Sequence, residues 1–324
     1  ANYIGTKFAI AVNSATSGLQ LSLAALGIND GEIITTPFTY AATSNVIVNQ
    51  NAKPVFVDVE KETYNIDPEK IEKAITKKTK AIMPIHYGGQ CSEMEQISEI
   101  AEKHDLVVIE DAAPAIGGIH KQRKAGTFGQ ISAFSFFPDK NMTTGEGGMV
   151  VTDDETLAEK CKELRKNGAS SRYYHTSIGW NFKMPDPNAA LGTSQLKRIE
   201  SIIERKNSLA KSYQNLLEKI ENIQPPIIKK YNRHTFMLYS ILTENFKQRE
   251  EIKTALSNKG IETRINFPSV HLQPIYKKLF GFKNGAFPIS EELSNRILGL
   301  PIFIKMTEEQ QEEVVNIISE TVKK

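Results

Sequence analysis

Apolar and polar positions alternate between two rhythms along most of this chain. Short apolar runs read as strands: Phe8–Val12, Glu32–Thr36, Val55–Val59, Ala81–His86, Leu106–Ile109, Ile131–Phe136 and Met149–Thr152. Between them, apolar residues recur at helical spacing: Leu19, Leu21, Ala24, Leu26 and Ile28; Ala41 to Gln50; Met94, Ile97, Ile100 and Ala101; Leu157 to Leu164. Pro68, with Asp67 before it as a cap, opens a further helix. Strands alternating with helices predict an α/β fold with a doubly wound, mainly parallel sheet. The unbroken run Leu106–Ile109 suits a strand covered on both faces. In such sheets ligands bind beyond the carboxyl ends of the strands. Ser14–Ser17, Phe38–Tyr40, His86 and Asp111 lie at such ends and are expected to meet in one crevice.

The later part of the chain reads differently. Asn188 to about Ile220 predicts one long helix, with Leu191, Leu196, Ile199, Ile202, Ile203, Leu209, Tyr213 and Leu217 on its inner side. Pro225-Pro226 marks a boundary after it. A strand over Phe236–Leu242, a helix over Glu250–Lys259, a second strand over Ile261–Phe267 and a closing helix over Glu308–Val322 predict a smaller α+β domain. The expected division is 1–220 for the large domain with its linking helix and 221–324 for the small one.

Composition narrows the picture. A length of 324 residues suits a large domain plus a small one, and 40% hydrophobic with 24% charged residues is ordinary for a soluble protein. A formal charge of +2 gives no reason to expect nucleic acid or an anionic membrane as partner. Two cysteines, Cys91 and Cys161, make no disulfide framework, and a reducing cytoplasmic compartment is expected. No apolar run reaches spanning length, no charged-then-apolar leader is present, and no metal site is expected. Because the chain opens at Ala1 and enters a strand at once, part of a natural N-terminus is expected to be missing. Neither G-x-G-x-x-G nor a Walker-type glycine–lysine loop occurs, which argues against a nicotinamide or nucleotide enzyme.

The chemistry centres on Ser135-Phe136-Phe137-Pro138-Asp139-Lys140, which runs on to Thr144-Gly145-Glu146-Gly147-Gly148. Pro138 leaves helical space, so Lys140 sits on irregular backbone just past a buried strand. The glycines that follow permit close approach of other atoms. Such a loop suits a lysine that acts as a nucleophile. Thr16 and Ser17, at a helix start, offer free N–H groups and the positive end of a helix dipole to a phosphate. Asp111, at the mouth of a buried strand, requires a cationic partner to stay ionised. One cofactor uses all of these together with Tyr40. Pyridoxal 5′-phosphate has an aldehyde for the lysine, a ring nitrogen for the carboxylate, a flat face for the tyrosine and a phosphate for the helix start. On that reading Lys140 forms the Schiff base and then serves as general acid/base, with pyridoxamine phosphate as the intermediate form of the cofactor. Asp111 keeps the ring nitrogen protonated, Tyr40 stacks on the ring, and Thr16, Ser17 and Ser135 hold the phosphate.

These segments, with Thr36-Pro37-Phe38-Thr39-Tyr40-Ala41-Ala42-Thr43, Pro84-Ile85-His86-Tyr87, Glu110-Asp111-Ala112-Ala113 and Gly179-Trp180-Asn181-Phe182-Lys183-Met184, resemble over the whole chain the DegT/DnrJ/EryC1/StrS aminotransferases. The resemblance implies fold type I, with Lys140 as the Schiff-base lysine, Asp111 as partner of the ring nitrogen, Tyr40 as the stacking aromatic, and Thr16, Ser17 and Ser135 at the phosphate. It implies that Asn181 reaches the phosphate of a neighbouring subunit, so that a homodimer shares two sites. It also implies amino transfer from L-glutamate to a keto sugar carried on a nucleoside diphosphate. His86, Arg172, Lys183 and His271 are candidate substrate contacts.

Two departures from the family pattern stand out. Pro114 occupies the position where the family commonly has Gln or His toward the cofactor's ring hydroxyl, and Lys183 stands where arginine is usual, without its bidentate fork. Other fold-type-I chemistry (decarboxylase, lyase or desulfurase) and a non-catalytic regulatory relative are the alternatives. A dehydratase branch carries histidine where Lys140 stands, which favours amino transfer.

Overall fold

The computed structural model describes residues 1–323. The strands of its first half are β1 (Phe8–Val12), β2 (Glu32–Thr35), β3 (Lys53–Phe56), β4 (Thr79–Ile82), β5 (Val107–Asp111), the two-residue β6 (Ile119–His120) and β7 (Arg123–Lys124), β8 (Ile131–Ser135) and β9 (Gly148–Thr152). Seven of them form one sheet in the order β1-β9-β8-β5-β4-β2-β3. Every neighbour pair is parallel except the two made by β9, which runs antiparallel to β1 and β8. The expected doubly wound, mainly parallel sheet is therefore present. All its strands but β9 point their carboxyl ends to one edge.

Alternation along each strand sends neighbouring side chains to opposite faces, and each face meets its own helices. Ile33, Ala81 and Ile109 pack with α1 (Ala15–Ala25), α2 (Ala41–Asn49) and α5 (Glu155–Leu164), through Leu19, Leu23, Ile47, Ala158 and Leu164. Ile34, Ile82 and Val108 pack with α3 (Pro68–Ala74) and α4 (Met94–Lys103), through Ile71, Met94 and Ile97. A sheet so covered needs strands that are apolar on both sides, as β5 is. The cap at Asp67 forms as expected: its carboxylate accepts the Glu69 N–H at 3.1 Å.

The second half holds the hairpin β10 (Ala169–Ser171) and β11 (Tyr174–His175), α6 (Asp186–Leu196), α7 (Ile199–Leu217) and β12 (Asn232–Arg233), which pairs with β6. Then come β13 (Tyr239–Leu242), α8 (Phe246–Asn258), α9 (Pro274–Phe280), α10 (Pro288–Arg296), β14 (Ile297–Leu300) and α11 (Glu308–Val322). The single helix expected over 188–220 is two, broken at Lys197–Arg198. No glycine or proline marks the break. α6 buries only Gly192, so its leucines do not continue the stripe that α7 buries with Ile199, Ile203, Leu209 and Tyr213.

A second expectation fails as well. The partner of β13 is β14, antiparallel, whereas Ile261–Phe267 makes one isolated bridge, Arg264 to Gly299. A side chain at Gly299 would meet the Arg264 carbonyl at 3.1 Å, so the glycine is what lets that irregular segment lie against β14.

α7 joins two cores. Ile199 and Ile203 pack beneath the large sheet with Phe134 and Phe136, and Leu209, Tyr213 and Leu217 pack with β13, β14, α8 and α11. Asp58, just past β3, reaches across to the start of α10. Its carboxylate accepts the N–H groups of Ile289 and Ser290 and the Ser290 hydroxyl, at 2.9, 2.8 and 2.6 Å. A residue just past β3 thus caps the start of α10, more than two hundred positions away.

Candidate active site

The carboxyl edge of the sheet gathers the expected residues. α1 starts where β1 ends. Ser14 is its N-cap, with its hydroxyl oxygen accepting the Ser17 N–H at 3.1 Å and lying 3.0 Å from the Ser17 hydroxyl. The first amides of a helix have no partner within it. Those of Ala15 and Thr16 therefore remain available to an anion, with the exposed Thr16 and buried Ser17 hydroxyls beside them. Gly148, opening β9, lies directly underneath. A side chain there would come within 2.6 Å of the Ser14 carbonyl carbon and 2.7 Å of the Ala15 nitrogen. Only a residue without Cβ lets the helix start sit so low on the sheet. Gly148 is paired with Ser135 across β8 and β9, so Ser135 joins the same hollow.

Asp111 ends β5 and is 3% exposed. The Thr43 hydroxyl donates to Oδ2 at 2.7 Å and the Ala113 N–H to Oδ1 at 3.2 Å. Burial pushes its carboxyl above the usual range, opposed by those two hydrogen bonds and by the Lys140 charge. Thr43 comes from the first turn of α2 and bonds in turn to Thr39 at 2.9 Å. Sequence reading missed this support, although Thr43 lies in the same motif as Tyr40. Tyr40 itself is 64% exposed, its ring tilted against Phe267 with centroids 6.1 Å apart.

The preceding residue behaves oppositely. Glu110 points to the other face and is fully buried. It accepts N–H groups from Gly126, Phe128 and Gly129 at 2.8, 2.7 and 2.7 Å, the Ser132 hydroxyl at 3.1 Å, and His86 Nε2 at 2.9 Å. Burial would raise its carboxyl, but these donors hold it below the usual range. His86 also accepts the Ser92 N–H at Nδ1, 3.2 Å, so Nδ1 carries no proton and Nε2 donates to Glu110.

Lys140 lies in a tight turn closed by its own N–H to the Phe137 carbonyl at 3.0 Å and by Thr144 N–H to the Phe136 carbonyl at 2.9 Å. Its Nζ is 3.0 Å from Asp139 Oδ1, and Arg264 from the small domain is 3.6 Å from the other oxygen. Asp139 and Arg264 line a cavity of about 420 Å³ between this loop, α7 and the segments around Arg264 and Pro301. Neither was anticipated from the sequence.

The candidate substrate contacts separate. Both nitrogens of His86 are engaged within the core, which leaves none for a substrate. His271 is fully buried, bonded to Glu291 at 3.0 Å and packed edge-on to Phe287 at 4.8 Å. Burial lowers its pKa, and it packs against Phe282 and Phe287, which in turn lie on Phe56 of β3. These two expectations are corrected: packing, invisible in a linear motif, claims both rings. Arg172, Asn181 and Lys183 are exposed. Arg172 lies over the Tyr173 ring at 5.1 Å. Asn181 and Lys183 flank Phe182, whose ring stacks on Trp180 at 5.4 Å and whose carbonyl accepts the Asn13 N–H at 2.9 Å. Pro114 spends its carbonyl on the Thr235 hydroxyl at 3.3 Å.

The residues present fit pyridoxal 5′-phosphate. An anion cradle that a Cβ would fill, a buried carboxylate bonded only to neutral donors, an open aromatic face and a lysine amine lie on one edge. Among the described residues no cluster of His, Cys, Asp and Glu could hold a metal ion, and no helix is long and apolar enough to cross a membrane.

Known proteins are similar to this chain over nearly its whole length. The spore coat polysaccharide biosynthesis protein SpsC of Bacillus subtilis is 40% identical, over 100% of this chain and 87% of its own. A GDP-perosamine synthase of Escherichia coli is 40% identical, over 97% of this chain and 85% of its own. The crystal structure of S. venezuelae DesV, in complex with a ketimine intermediate, superposes with a TM-score of 0.96 at 33% identity, covering 100% of this chain and 87% of that one. Residues 1–319 match the model of one family, and the chain accordingly belongs to the DegT/DnrJ/EryC1/StrS aminotransferases, enzymes of fold type I.

Proposed function

We propose that this aminotransferase uses pyridoxal 5′-phosphate to move an amino group from L-glutamate onto a keto sugar carried on a nucleoside diphosphate. The observation that carries the reading is a buried Asp111 that feels the Lys140 charge at one sheet edge, beside a helix start lowered onto Gly148. When bound, the cofactor supplies a carbonyl for amines and an electron-accepting ring. Lys140 provides the amine that engages that carbonyl and, once released, a base positioned to shift a proton at the adjacent carbon. Asp111 holds a proton on the ring nitrogen, Thr43 and Ala113 orient it, and Tyr40 covers one ring face. Thr16, Ser17 and Ser135 bind the phosphate.

Asn181, exposed on the segment after Trp180, would serve the phosphate of a partner subunit in a homodimer. Lys183 and Arg172 are left as contacts for the substrate's diphosphate. The names of the relatives, a GDP-perosamine synthase and a polysaccharide biosynthesis protein, support a sugar nucleotide as acceptor.

Incubation with L-glutamate and dTDP-, UDP- or GDP-linked 3-keto and 4-keto sugars, with mass detection of the aminated sugar, tests the proposal. An aminated product from at least one of them is expected. Conversion of L-glutamate with no aminated sugar in any combination would overturn the acceptor class.

A further inference from the structure

We infer that Lys206 is a positioning residue for Lys140, holding the loop that carries the reactive amine through Asn141. This rests on the reading of Lys140 given above. Lys206 lies on α7 and is only 6% exposed. Its Nζ donates to Asn141 Oδ1 at 2.8 Å. Asn141, next in the chain to Lys140, is 5% exposed and donates through Nδ2 to the Thr235 carbonyl at 2.8 Å. Thr235 donates its N–H to the Gly89 carbonyl at 3.0 Å and its hydroxyl to the Pro114 carbonyl at 3.3 Å. The chain of contacts therefore runs from α7, past the reactive lysine, to the loops leaving β4 and β5. Pro114 lies three residues beyond Asp111, so one network steadies the backbone on both sides of the site.

An ammonium has three donors, and a buried one is expensive unless it is used. Methionine would fill the same space without that cost, so packing alone gives no reason for lysine here. The groups facing Lys206 are Asp139 and Lys140 on the loop, Arg198 just before its own helix, Glu262 and Arg264 on the segment before α9, and His234 beside Thr235. Burial, reinforced by the Lys140 charge and opposed by Asp139, brings Lys206 down to about 8. The charge-assisted bond to Asn141 is therefore fully present below that pH and weakens as pH rises through it.

The test uses the full chain without cofactor, comparing wild type with Lys206→Met, Lys206→Arg and Asn141→Ala. Hydrogen exchange of the peptide spanning the Lys140 loop, read by mass spectrometry at neutral pH, is expected to quicken about tenfold in Lys206→Met and Asn141→Ala. Their double variant should be no faster than either single one, and Lys206→Arg should stay near wild type. Pyridoxal phosphate titrations give a second readout. The ratio of dissociation constants, Lys206→Met over wild type, should be about tenfold at neutral pH and fall toward one well above pH 8. Unchanged loop exchange in Lys206→Met, or a ratio that ignores pH, overturns the inference. If Lys206→Met fails to fold, Asn141→Ala decides by the same exchange measurement. If wild type binds no cofactor at Lys140, the reading of the site fails, while loop exchange still judges the tether.

Discussion

Adjacent carboxylates, one residue apart on β5, are driven in opposite directions. Asp111 is raised by burial, so the unfolded chain ionises first. Its ionisation then subtracts stability as pH rises from the ordinary carboxylate range to the folded value. A cationic ring nitrogen on its open side would reverse that penalty. Asp111→Asn without cofactor should therefore melt no lower than wild type at neutral pH, while pyridoxal phosphate affinity falls at least about tenfold. Thermal melts and cofactor titrations on the same variant check both halves.

Glu110 is held low by its donors, so its stabilising contribution is present above the ordinary range and lost as pH falls through the lowered value. Glu110→Gln sets an amide donor against N–H groups and should destabilise by about 1–3 kcal/mol, measured by urea unfolding. That burial would work against the Asp111 charge was legible in the sequence, because a charge at the end of an apolar run is costly in any fold. The opposite state of Glu110 was not legible. Its donors come from Gly126, Phe128 and Gly129, which only the folded loop brings beneath it. The same holds for His86 and His271, whose partners lie far along the chain or in another element.

At the scale of elements, the site depends on how low α1 sits on the sheet. Gly148→Ala would push against Ser14 and Ala15, and overpacking of this kind costs about 1–3 kcal/mol. It should also weaken phosphate and cofactor binding, whereas Ser14→Ala should lose about 0.5–2 kcal/mol through the cap. Calorimetry and cofactor titration distinguish a lost cap from a displaced helix. The strand–helix alternation that builds this edge could be read directly, since strands covered on both faces and amphipathic helices have different periods. The break between α6 and α7 had no turn residue to announce it. β14 follows α10 without a gap, so no punctuation separated its four residues from the helix, whereas the β-rich stretch over 261–267 drew the assignment instead.

At the scale of the molecule, α7 and Asp58 tie the C-terminal elements to the large sheet. Asp58→Ala would leave the Ile289 and Ser290 amides without an acceptor at the start of α10. A loss of about 1–3 kcal/mol in urea unfolding is expected, together with faster hydrogen exchange in α10. Faster exchange confined to the surroundings of β3, with α10 unchanged, would argue that the clasp does not hold α10. Contacts of this sort join residues more than two hundred positions apart, which is why sequence reading could not find them.

Everything assigned to the cleft follows from one amine. Reduction with borohydride after incubation with pyridoxal 5′-phosphate, followed by peptide mass mapping, identifies the lysine that captures the cofactor. The account predicts the added mass on the peptide containing Lys140 and its absence in Lys140→Ala. An adduct on another lysine, Lys206 included, or none at all, would contradict it.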